Sequence, residues 1–289
     1  MLGFVNLFKP AGPTSTQFGA RLRRIYGAVG EGKLAVGHLG TLDPQAAGVL
    51  PVALGAATRL IPLIEDRRKS YVCTLVLGRA TTTGDAVGET TAQSGVPGDA
   101  AERLNALLPS WIGPIEQIPP MYSAVKVDGR RLHALAREGK TIERKTRQVT
   151  IYGVALIGYE GATMRLRVAC SEGTYIRTLC EDLGAALGCA AHMGALLRDG
   201  SGPFVLSESR TLEEVIDDPE ASLVPPERVI PIPTVVLDLR KILDFRAGRI
   251  VPLESAPPDR HVFVRDQTRT LVGVGETLGT LLAPRKVFV

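Results

Sequence analysis

The spacing of hydrophobic residues along the chain predicts both helices and strands. Phe18, Leu22 and Ile25 recur at the three- to four-residue spacing of a helix. Thr14, which is followed by a glutamine three residues later, fits the start of that helix, and Gly27 fits its end. Other hydrophobic runs have the spacing of strands, so elements of both types are expected.

Three further segments have a clear period. Residues 71–77 form a nearly continuous apolar run, which is typical of a buried strand. In residues 164–170, apolar side chains alternate with two arginines, as in a strand with one buried face. Residues 176–187 have helical spacing and precede Gly188, which predicts a helix that ends there.

The distribution of prolines divides the chain. Residues 216–234 contain five prolines, a density that should exclude a regular element and that marks a linker. Short β-like runs follow, around residues 262–264, 271–274, 278–282 and 287–289. We therefore predict a large domain over residues 1–230 and a small β-rich domain over residues 235–289. We expect the large domain to stay folded without the small one.

The composition is that of a folded globular protein. Of 289 residues, 45% are hydrophobic and 22% are charged, which argues against a disordered or fibrous chain. The apolar stretches are too short to span a bilayer. The first ten residues have neither the basic start nor the long apolar core of a secretion signal, so we expect a cytoplasmic protein.

Metal and nucleotide sites are not indicated. The four cysteines contain no C-x-x-C pair and the four histidines are scattered, so neither a disulfide framework nor a zinc site is predicted. Residues 27–34 nearly match a phosphate-binding P-loop. However, Leu34 stands where that motif needs serine or threonine to hold magnesium. We expect no metal and no nucleotide cofactor.

Positive charge is concentrated in two segments of this chain, whose net charge is +4. Residues 1–80 carry ten basic and four acidic side chains, and residues 117–150 carry eight basic and three acidic ones. If the two segments meet in the fold, they would attract a polyanion. Separate solvated faces explain the same counts, so charge alone leaves the question open.

The segment with the most candidate functional residues is residues 37–51. Gly37 and Gly40 permit tight turns, and Pro44 favours an extended conformation for Asp43. A carboxylate between a glycine turn and an apolar run can project into a cleft. The pattern alone also fits a solvated aspartate in a turn.

These residues resemble the signature of the bacterial tRNA pseudouridine synthase B (TruB) family. The match is carried by the segment GHLGTLDP at residues 37–44, and similar segments occur in family order across residues 5–204. They are NLFKPAG at residues 6–12, KSY at 69–71, QIPPMYSAVK at 117–126 and SEGTYIR at 171–177. A match of this extent is not expected by chance.

The resemblance implies a fold and a reaction. The family fold is α+β: a mixed α/β catalytic domain around a large, mainly antiparallel sheet, followed by a PUA-like RNA-binding domain. The implied substrate is the T-arm of tRNA, at the uridine numbered 55 in the standard scheme. The base is turned out of the RNA, detached and rejoined to its sugar through carbon. This isomerisation implies no redox cofactor and no ATP.

The resemblance also implies roles for five residues. Asp43 matches the catalytic aspartate, and Arg177 matches the arginine that pairs with it and favours its ionised form. Tyr71 matches the tyrosine that stacks on the target base, Tyr175 matches a second tyrosine of the site, and Leu196 would close the apolar wall of the pocket. From the pattern alone, both tyrosines fit core packing and the arginine fits a helix-surface ion pair.

RNA contacts are expected mainly from basic residues. His38 would lie near the space that the flipped base leaves, and the other candidates would contact phosphates. These are Lys9, Arg59, Lys126, Arg130 and Arg131. The charged segment 117–150 is expected to form a mobile thumb loop that orders on RNA. The protein is expected to be a monomer.

Two departures from the family pattern concern RNA contacts. Leu197 stands where the family usually has a basic residue, and Asp199 stands where it usually has threonine, so a contact there is in question. Two other functions compete with the enzyme. A non-catalytic tRNA-binding or tRNA-folding module would keep the fold, and an unrelated aspartate-dependent hydrolase would not need the basic segments.

Overall fold

Two β-sheets organise the chain. The structure, a computed structural model, describes residues 1–27, 34–123, 125–127, 129–140, 142–255 and 257–288. The strands are β1 (Leu2–Lys9), β2 (Val36–His38), β3 (Ala47–Gly55), β4 (Lys69–Leu77), β5 (Arg79–Thr81), β6 (Thr90–Gln93), β7 (Gly113–Gln117), β8 (Lys126–Val127), β9 (Arg130–Arg131), β10 (Arg147–Glu160), β11 (Thr163–Cys170), β12 (Ala191–Ser201), β13 (Phe204–Val205), β14 (Thr234–Val236), β15 (Val251–Pro252), β16 (His261–Arg265), β17 (Leu271–Leu278) and β18 (Leu281–Val287).

The helices are shorter in total than the strands. They are α1 (Ser15–Gly27), α2 (Ala100–Leu107), α3 (Leu132–Arg137), α4 (Ile176–Ala186), α5 (Leu212–Asp217), α6 (Pro226–Val229) and α7 (Leu239–Arg246). Single 3-10 turns cover Ala56–Arg59, Ile61–Leu63, Leu108–Trp111 and Leu206–Glu208. No helix in the described ranges is long and apolar enough to cross a membrane.

The large sheet is mainly antiparallel, as predicted. Among the described residues it has nine strands, and its main path is β1-β3-β12-β4-β11-β10-β7, with β2 paired to β3 and β13 paired to β12. Its pairings are antiparallel apart from one short parallel contact, in which Leu197 and Arg198 of β12 lie opposite Ala47 and Gly48 of β3. The α+β fold class is confirmed.

The predicted elements form for the reasons that the sequence gives. The Thr14 and Gln17 side chains make the reciprocal hydrogen bonds of a capping box before α1, whose buried face includes Phe18 and Leu22. Strand β4 buries every second residue from Lys69 to Leu77. Strand β11 exposes its two arginines and buries the apolar residues between them. Helix α4 ends at Ala186, one residue earlier than predicted.

One face of the large sheet carries helices. Helices α2 and α4 pack there with the buried side of β4 and β11. Helix α1 and helix α5 cover the neighbouring part, over β1 and β3. Leu196 of β12 contacts both groups, which places them on the same side of the sheet.

The small sheet packs on the opposite face. Its order is β14-β16-β17-β18-β15, and helix α7 covers its outer side. Its inner residues Phe263, Val274 and Phe288 form one hydrophobic cluster with Phe4 and Val49 of the large sheet. The two sheets share a core, and removal of the tail would expose it, which disfavours independent folding of the large domain. The expectation that the large domain folds without the tail stays a prediction.

Two local predictions about the tail need correction. The proline-rich segment contains α6, because Pro226 stands at a first helical position, where a missing N–H costs no hydrogen bond. Residues 278–282 do not form one strand: Leu278 ends β17, Leu281 and Leu282 begin β18, and Gly279 lies in the turn between them. The runs 262–264 and 271–274 lie within β16 and β17.

The segment 117–150 has secondary structure in its described part. Strands β8 and β9 pair as a short hairpin, helix α3 follows, and β10 begins at Arg147. Its mobility stays a prediction. The P-loop-like residues 28–33 lie outside the described part of the chain.

The contact between β3 and β12 generates a stability prediction at Gly48. This glycine has φ +114°, and a Cβ there would lie 2.1 Å from the carbonyl oxygen of Arg198. Gly113 has the same strained conformation, φ +116°, with open space around a Cβ. Both alanine variants should lose about 1–3 kcal/mol from backbone strain, and Gly48→Ala should lose more because β12 must also move.

Urea unfolding of the two variants would measure this difference. Gly113→Ala is the matched control for backbone strain. Equal losses in the two variants would contradict the close approach of β3 and β12.

Candidate active site

Buried side chains hold the backbone around Asp43. We call residues 39–46 the Asp43 loop. Ser15, at the start of α1, exchanges two hydrogen bonds with the backbone of Leu42: its Oγ donates to the carbonyl at 2.9 Å and accepts from the N–H at 3.0 Å. These two bonds connect the start of α1 to the residue before Asp43.

Arg198 holds the first half of the loop. It is almost fully buried on β12, and its guanidinium donates to the carbonyls of Gly40 at 3.0 Å and Thr41 at 3.4 Å. Its Nε donates to the Val49 carbonyl at 2.7 Å, and it also forms a hydrogen bond with the Tyr71 hydroxyl. One side chain therefore fixes both the loop and the neighbouring tyrosine.

Two buried lysines complete this support. The Lys69 ammonium donates to the Leu39 carbonyl at 3.0 Å and to Ser201 Oγ at 2.6 Å. The Lys9 ammonium donates to the carbonyls of Pro44 at 3.1 Å and Ala46 at 2.7 Å, and to that of Pro10. Burial, with a smaller contribution from the charge of Arg198, lowers the pKa of each lysine to about 8.

Asp43 itself faces an arginine. Its Oδ2 lies 2.9 Å from a terminal nitrogen of Arg177, whose side chain is 5% exposed while that of Asp43 is 37% exposed. Arg177 also donates to the carbonyls of Thr83 at 3.0 Å and Tyr122 at 2.8 Å. The arginine is thus fixed from three sides, and the carboxylate is left open to a ligand.

A second carboxylate lies behind the first pair. Asp85 is buried, and its Oδ2 is 4.0 Å from Nε of Arg177. It accepts hydrogen bonds from the Thr83 hydroxyl, the Val87 N–H and the Gln45 amide. Because Gln45 belongs to the Asp43 loop, Asp85 connects this loop to the arginine.

The predicted pocket residues come from β4, the start of α4 and β12. Tyr71 is buried in the cluster of β4, β11 and α4, and burial raises the pKa of its hydroxyl. The backbone of Tyr175, at the start of α4, exchanges hydrogen bonds with the Gln117 amide at 3.0 and 3.2 Å. Leu196 lies at an irregularity of β12, between the two helix-covered clusters.

Three of the predicted RNA contacts have partners within the protein. Lys9 is fully buried on the loop carbonyls, so its assignment as a phosphate contact is wrong. Arg59 is exposed but donates to the Val287 carbonyl at 2.7 Å and lies over the Phe288 ring, so it joins the two sheets. Arg130 is paired with Glu138.

The other RNA candidates keep the status of predictions. His38 is an exposed residue at the end of β2, and partial desolvation of its ring, together with the charge of Arg198, lowers its pKa. The side chains of Lys126 and Arg131 lie outside the described part of the chain. Leu197 pairs with Val72 and Ala47, and Asp199 lies where the register between β12 and β4 shifts.

Metal ligands do not gather in this site. Within the described ranges, no three histidine, cysteine, aspartate or glutamate side chains come close enough together to hold a metal ion. The four cysteines are buried and carry free thiols.

Comparison with known proteins decides the family. A profile described as "TruB family pseudouridylate synthase (N terminal domain)" matches residues 23–176, which is more than half of the chain. The chain belongs to the TruB family. A second profile, "tRNA pseudouridylate synthase B C-terminal domain", matches residues 177–236. The resemblance seen in the sequence motifs is confirmed.

Relatives within this family cover the whole chain. Proteins named tRNA pseudouridine synthase B are 42% identical in Streptococcus pneumoniae D39, over 100% of both chains, and 40% identical in Heliobacterium modesticaldum, over 99% of this chain and 95% of the relative. A structure titled "Crystal Structure of a Cbf5-Nop10-Gar1 Complex" is 28% identical, with a TM-score of 0.67, and covers 99% of this chain and 85% of that chain.

Several site residues were not assigned from the sequence of this TruB-family chain. Arg198 and Lys69 lie within segments that match the family, but a basic residue in a polar segment is usually exposed. Gln117 opens the family-like segment at residues 117–126 but was given no role, and Asp85 gave no signal. The available hint was the strand pattern, since Lys69 occupies a buried position in the alternation of β4.

The clamp on the Asp43 loop predicts a strong effect of Arg198 variants. Arg198→Met leaves three carbonyls without their donor, and each unpaired buried group costs about 1–3 kcal/mol. Arg198→Lys keeps the charge but cannot span Gly40, Val49 and Tyr71 together. We expect urea unfolding to show a loss of about 3 kcal/mol or more for the methionine variant and a smaller loss for lysine. Wild-type stability in both would contradict the clamp.

The buried Lys69 predicts a pH dependence with a definite sign. Its pKa is about 8 in the folded state and about 10.5 in the unfolded state. Between these values the unfolded chain binds more protons, so the stability contributed by Lys69 rises with pH. The stability advantage of wild type over Lys69→Met should therefore grow between pH 8 and pH 10 in urea unfolding. An advantage that shrinks over this range would contradict the burial of a charged lysine.

Proposed function

We propose that this protein converts uridine 55 in the T-arm of tRNA into pseudouridine. The single observation that carries the proposal is the Asp43–Arg177 pair: an accessible carboxylate held 2.9 Å from a buried arginine, on a loop whose carbonyls are fixed. Membership of the TruB family and the names of its curated relatives support the choice of tRNA and of this reaction.

The reaction moves one bond and leaves the composition unchanged. The bond between C1′ of the ribose and N1 of uracil breaks, and a bond between C1′ and C5 forms. The proton on C5 is lost and N1 gains one, so no electrons and no groups are exchanged. The isomerisation therefore needs no redox cofactor and no group donor.

Asp43 supplies the reactive group. Attack on C1′, attack on the base and removal of a sugar proton each require an ionised carboxylate. Arg177 pairs with the Asp43 carboxylate, and its bonds to the Thr83 and Tyr122 carbonyls keep the arginine from turning away. A fixed carboxylate matters because misplacement of a reacting group by about 1 Å can cost on the order of 100-fold in rate.

Two tyrosines and a leucine form the pocket for the flipped base. Stacking on an aromatic ring offsets part of the cost of extrusion, and such stacking contributes about 1–3 kcal/mol per base. The hydrogen bond from Arg198 fixes Tyr71, and the bonds from Gln117 fix the backbone of Tyr175. Leu196 closes the apolar side, and the exposed residue His38 is available to the RNA.

The small C-terminal sheet belongs to the proposal as a PUA-like RNA-binding unit. Its five strands and its position against the large sheet support that assignment. The cytoplasmic location and the monomeric state stay predictions; sedimentation of the purified protein would test the second.

The decisive experiment uses unmodified tRNA transcript with enzyme in excess, and it maps pseudouridine without added ATP or metal. Asp43→Asn should fold and bind tRNA, because Arg177 keeps Asp85 and two carbonyls as partners. Its rate should fall by about 10³-fold or more. Asp43→Glu should fall by on the order of 100-fold. Asp99→Asn, which changes an exposed carboxylate at the N-cap of α2, is the control and should keep the wild-type rate.

The same experiment separates the competing functions. A tRNA-binding module would bind the transcript and form no pseudouridine with the wild-type protein. A hydrolase of small molecules would do neither. Substantial turnover by Asp43→Asn would contradict the role of Asp43.

A further inference from the structure

One buried carboxylate on the small sheet holds two exposed arginines. Glu276 of β17 is 6% exposed. Nε of Arg260 donates to its Oε1 at 2.7 Å, and Arg285 contacts its Oε2. The arginine side chains are 76% and 58% exposed, respectively. We call these three residues the Glu276 cluster.

The backbone places Glu276 and Arg285 on the same part of the small sheet. Glu276 lies two residues after Val274 and so shares the inner face of the small sheet, the face that packs on the large sheet. Arg285 is the extra residue of a β-bulge, since Val274 pairs with Lys286 and Gly275 with Pro284. Bulges re-aim a side chain. The large sheet covers the apolar part of this face. The Glu276 cluster is the charged part of the face, which the large sheet does not cover.

The guanidinium groups keep donors for a ligand. Arg260 uses its Nε on Glu276, so its two terminal nitrogens are open to solvent in a largely exposed side chain. A guanidinium fork suits the oxygens of a phosphate, and anchoring one edge to a carboxylate reduces the entropy lost on binding. A purely stabilising ion pair at the surface would contribute little, because exposed pairs are worth about 0–1 kcal/mol.

Charge along the chain favours a polyanion at this sheet. Residues 234–289 carry nine basic and six acidic side chains, whereas residues 151–233 carry six basic and twelve acidic ones. The C-terminal half as a whole is net acidic, and its locally basic part is the segment that forms the small sheet and its helix, with a net charge of +3. The oppositely charged neighbour in sequence is Asp259, and Lys286 adds a positive charge.

We propose that Arg260 and Arg285, positioned by Glu276, bind backbone phosphates of the tRNA substrate outside its T-arm. This rests on the proposed function for the identity of the polyanion. The location follows from the two faces of the large sheet: the Asp43 loop packs on the helix-covered face, and the small sheet packs on the opposite one. A T-arm centred on Asp43 would have to extend around the sheet, whereas the rest of a tRNA is long enough to do so.

Binding of two RNAs to three variants tests this proposal. The RNAs are full-length tRNA transcript and an isolated T-arm hairpin, and affinity is measured over a range of salt concentrations. For Arg260→Gln with Arg285→Gln, affinity for full-length tRNA should fall on the order of 10-fold, and the slope of log affinity against log salt should become shallower by about 2. Affinity for the hairpin should stay within about twofold of wild type.

Two variants serve as controls. Arg249→Gln removes an exposed arginine of the same domain that pairs with Asp244, and it should leave both affinities unchanged. Arg260→Lys with Arg285→Lys keeps the charge without the fork, so it should recover most of the salt slope and only part of the affinity. Thermal unfolding of each variant verifies that the small sheet is intact.

Three results would overturn the proposal. They are unchanged tRNA affinity in the double glutamine variant, an equal loss for tRNA and hairpin, and a loss as large in Arg249→Gln. A lower melting temperature without a change in affinity would mean that the Glu276 cluster only stabilises the sheet. These binding results are independent of catalysis: absence of pseudouridine with wild-type protein would overturn the proposed function and leave the phosphate comparison valid.

Discussion

Three buried cations hold the backbone that carries Asp43, and the geometry of the site depends on this arrangement. Lys9, Lys69 and Arg198 donate to carbonyls on both sides of the aspartate. They come from β1, β4 and β12, which are neighbours or near neighbours in the large sheet. The Asp43 loop has no regular hydrogen-bond ladder of its own, so rigid strands supply the donors that its carbonyls need.

Charged donors do more here than neutral ones would. A buried polar group must be paired, and a serine or an asparagine would satisfy the carbonyls equally well. Cations also create a positive potential where the carboxylate must be ionised and where a phosphate-bearing substrate must approach. The cost appears as the lowered pKa of both lysines, because burial disfavours their charged form. Catalytic geometry and local stability are therefore in tension in this loop.

The sequence predicts most elements and the reactive pair, but not what supports them. Periodicity predicts α1, β4, β11 and α4 because each has one clearly buried side. The family motifs bring Asp43 and Arg177 together. The clamp could not be predicted, because Lys9, Lys69 and Arg198 are far apart in sequence and basic residues usually indicate surface. The packing of the tail could not be predicted for a similar reason: prolines mark a linker, yet Phe263 and Phe288 share a core with the large sheet.

The two faces of the large sheet have different roles in the proposed function. In the proposed function, the helix-covered face provides the pocket for one base, where contacts must be rigid because a displacement of about 1 Å can cost on the order of 100-fold in rate. The small sheet packs on the opposite face through a shared core. A close-packed core fixes the position of one sheet relative to the other, without a flexible hinge. Arg59 strengthens this connection, since it reaches from a turn after β3 to the end of β18. Whatever RNA the small sheet holds is consequently held at a fixed distance from Asp43, so binding there can select a long, rigid RNA over a short loop that fits the pocket equally well.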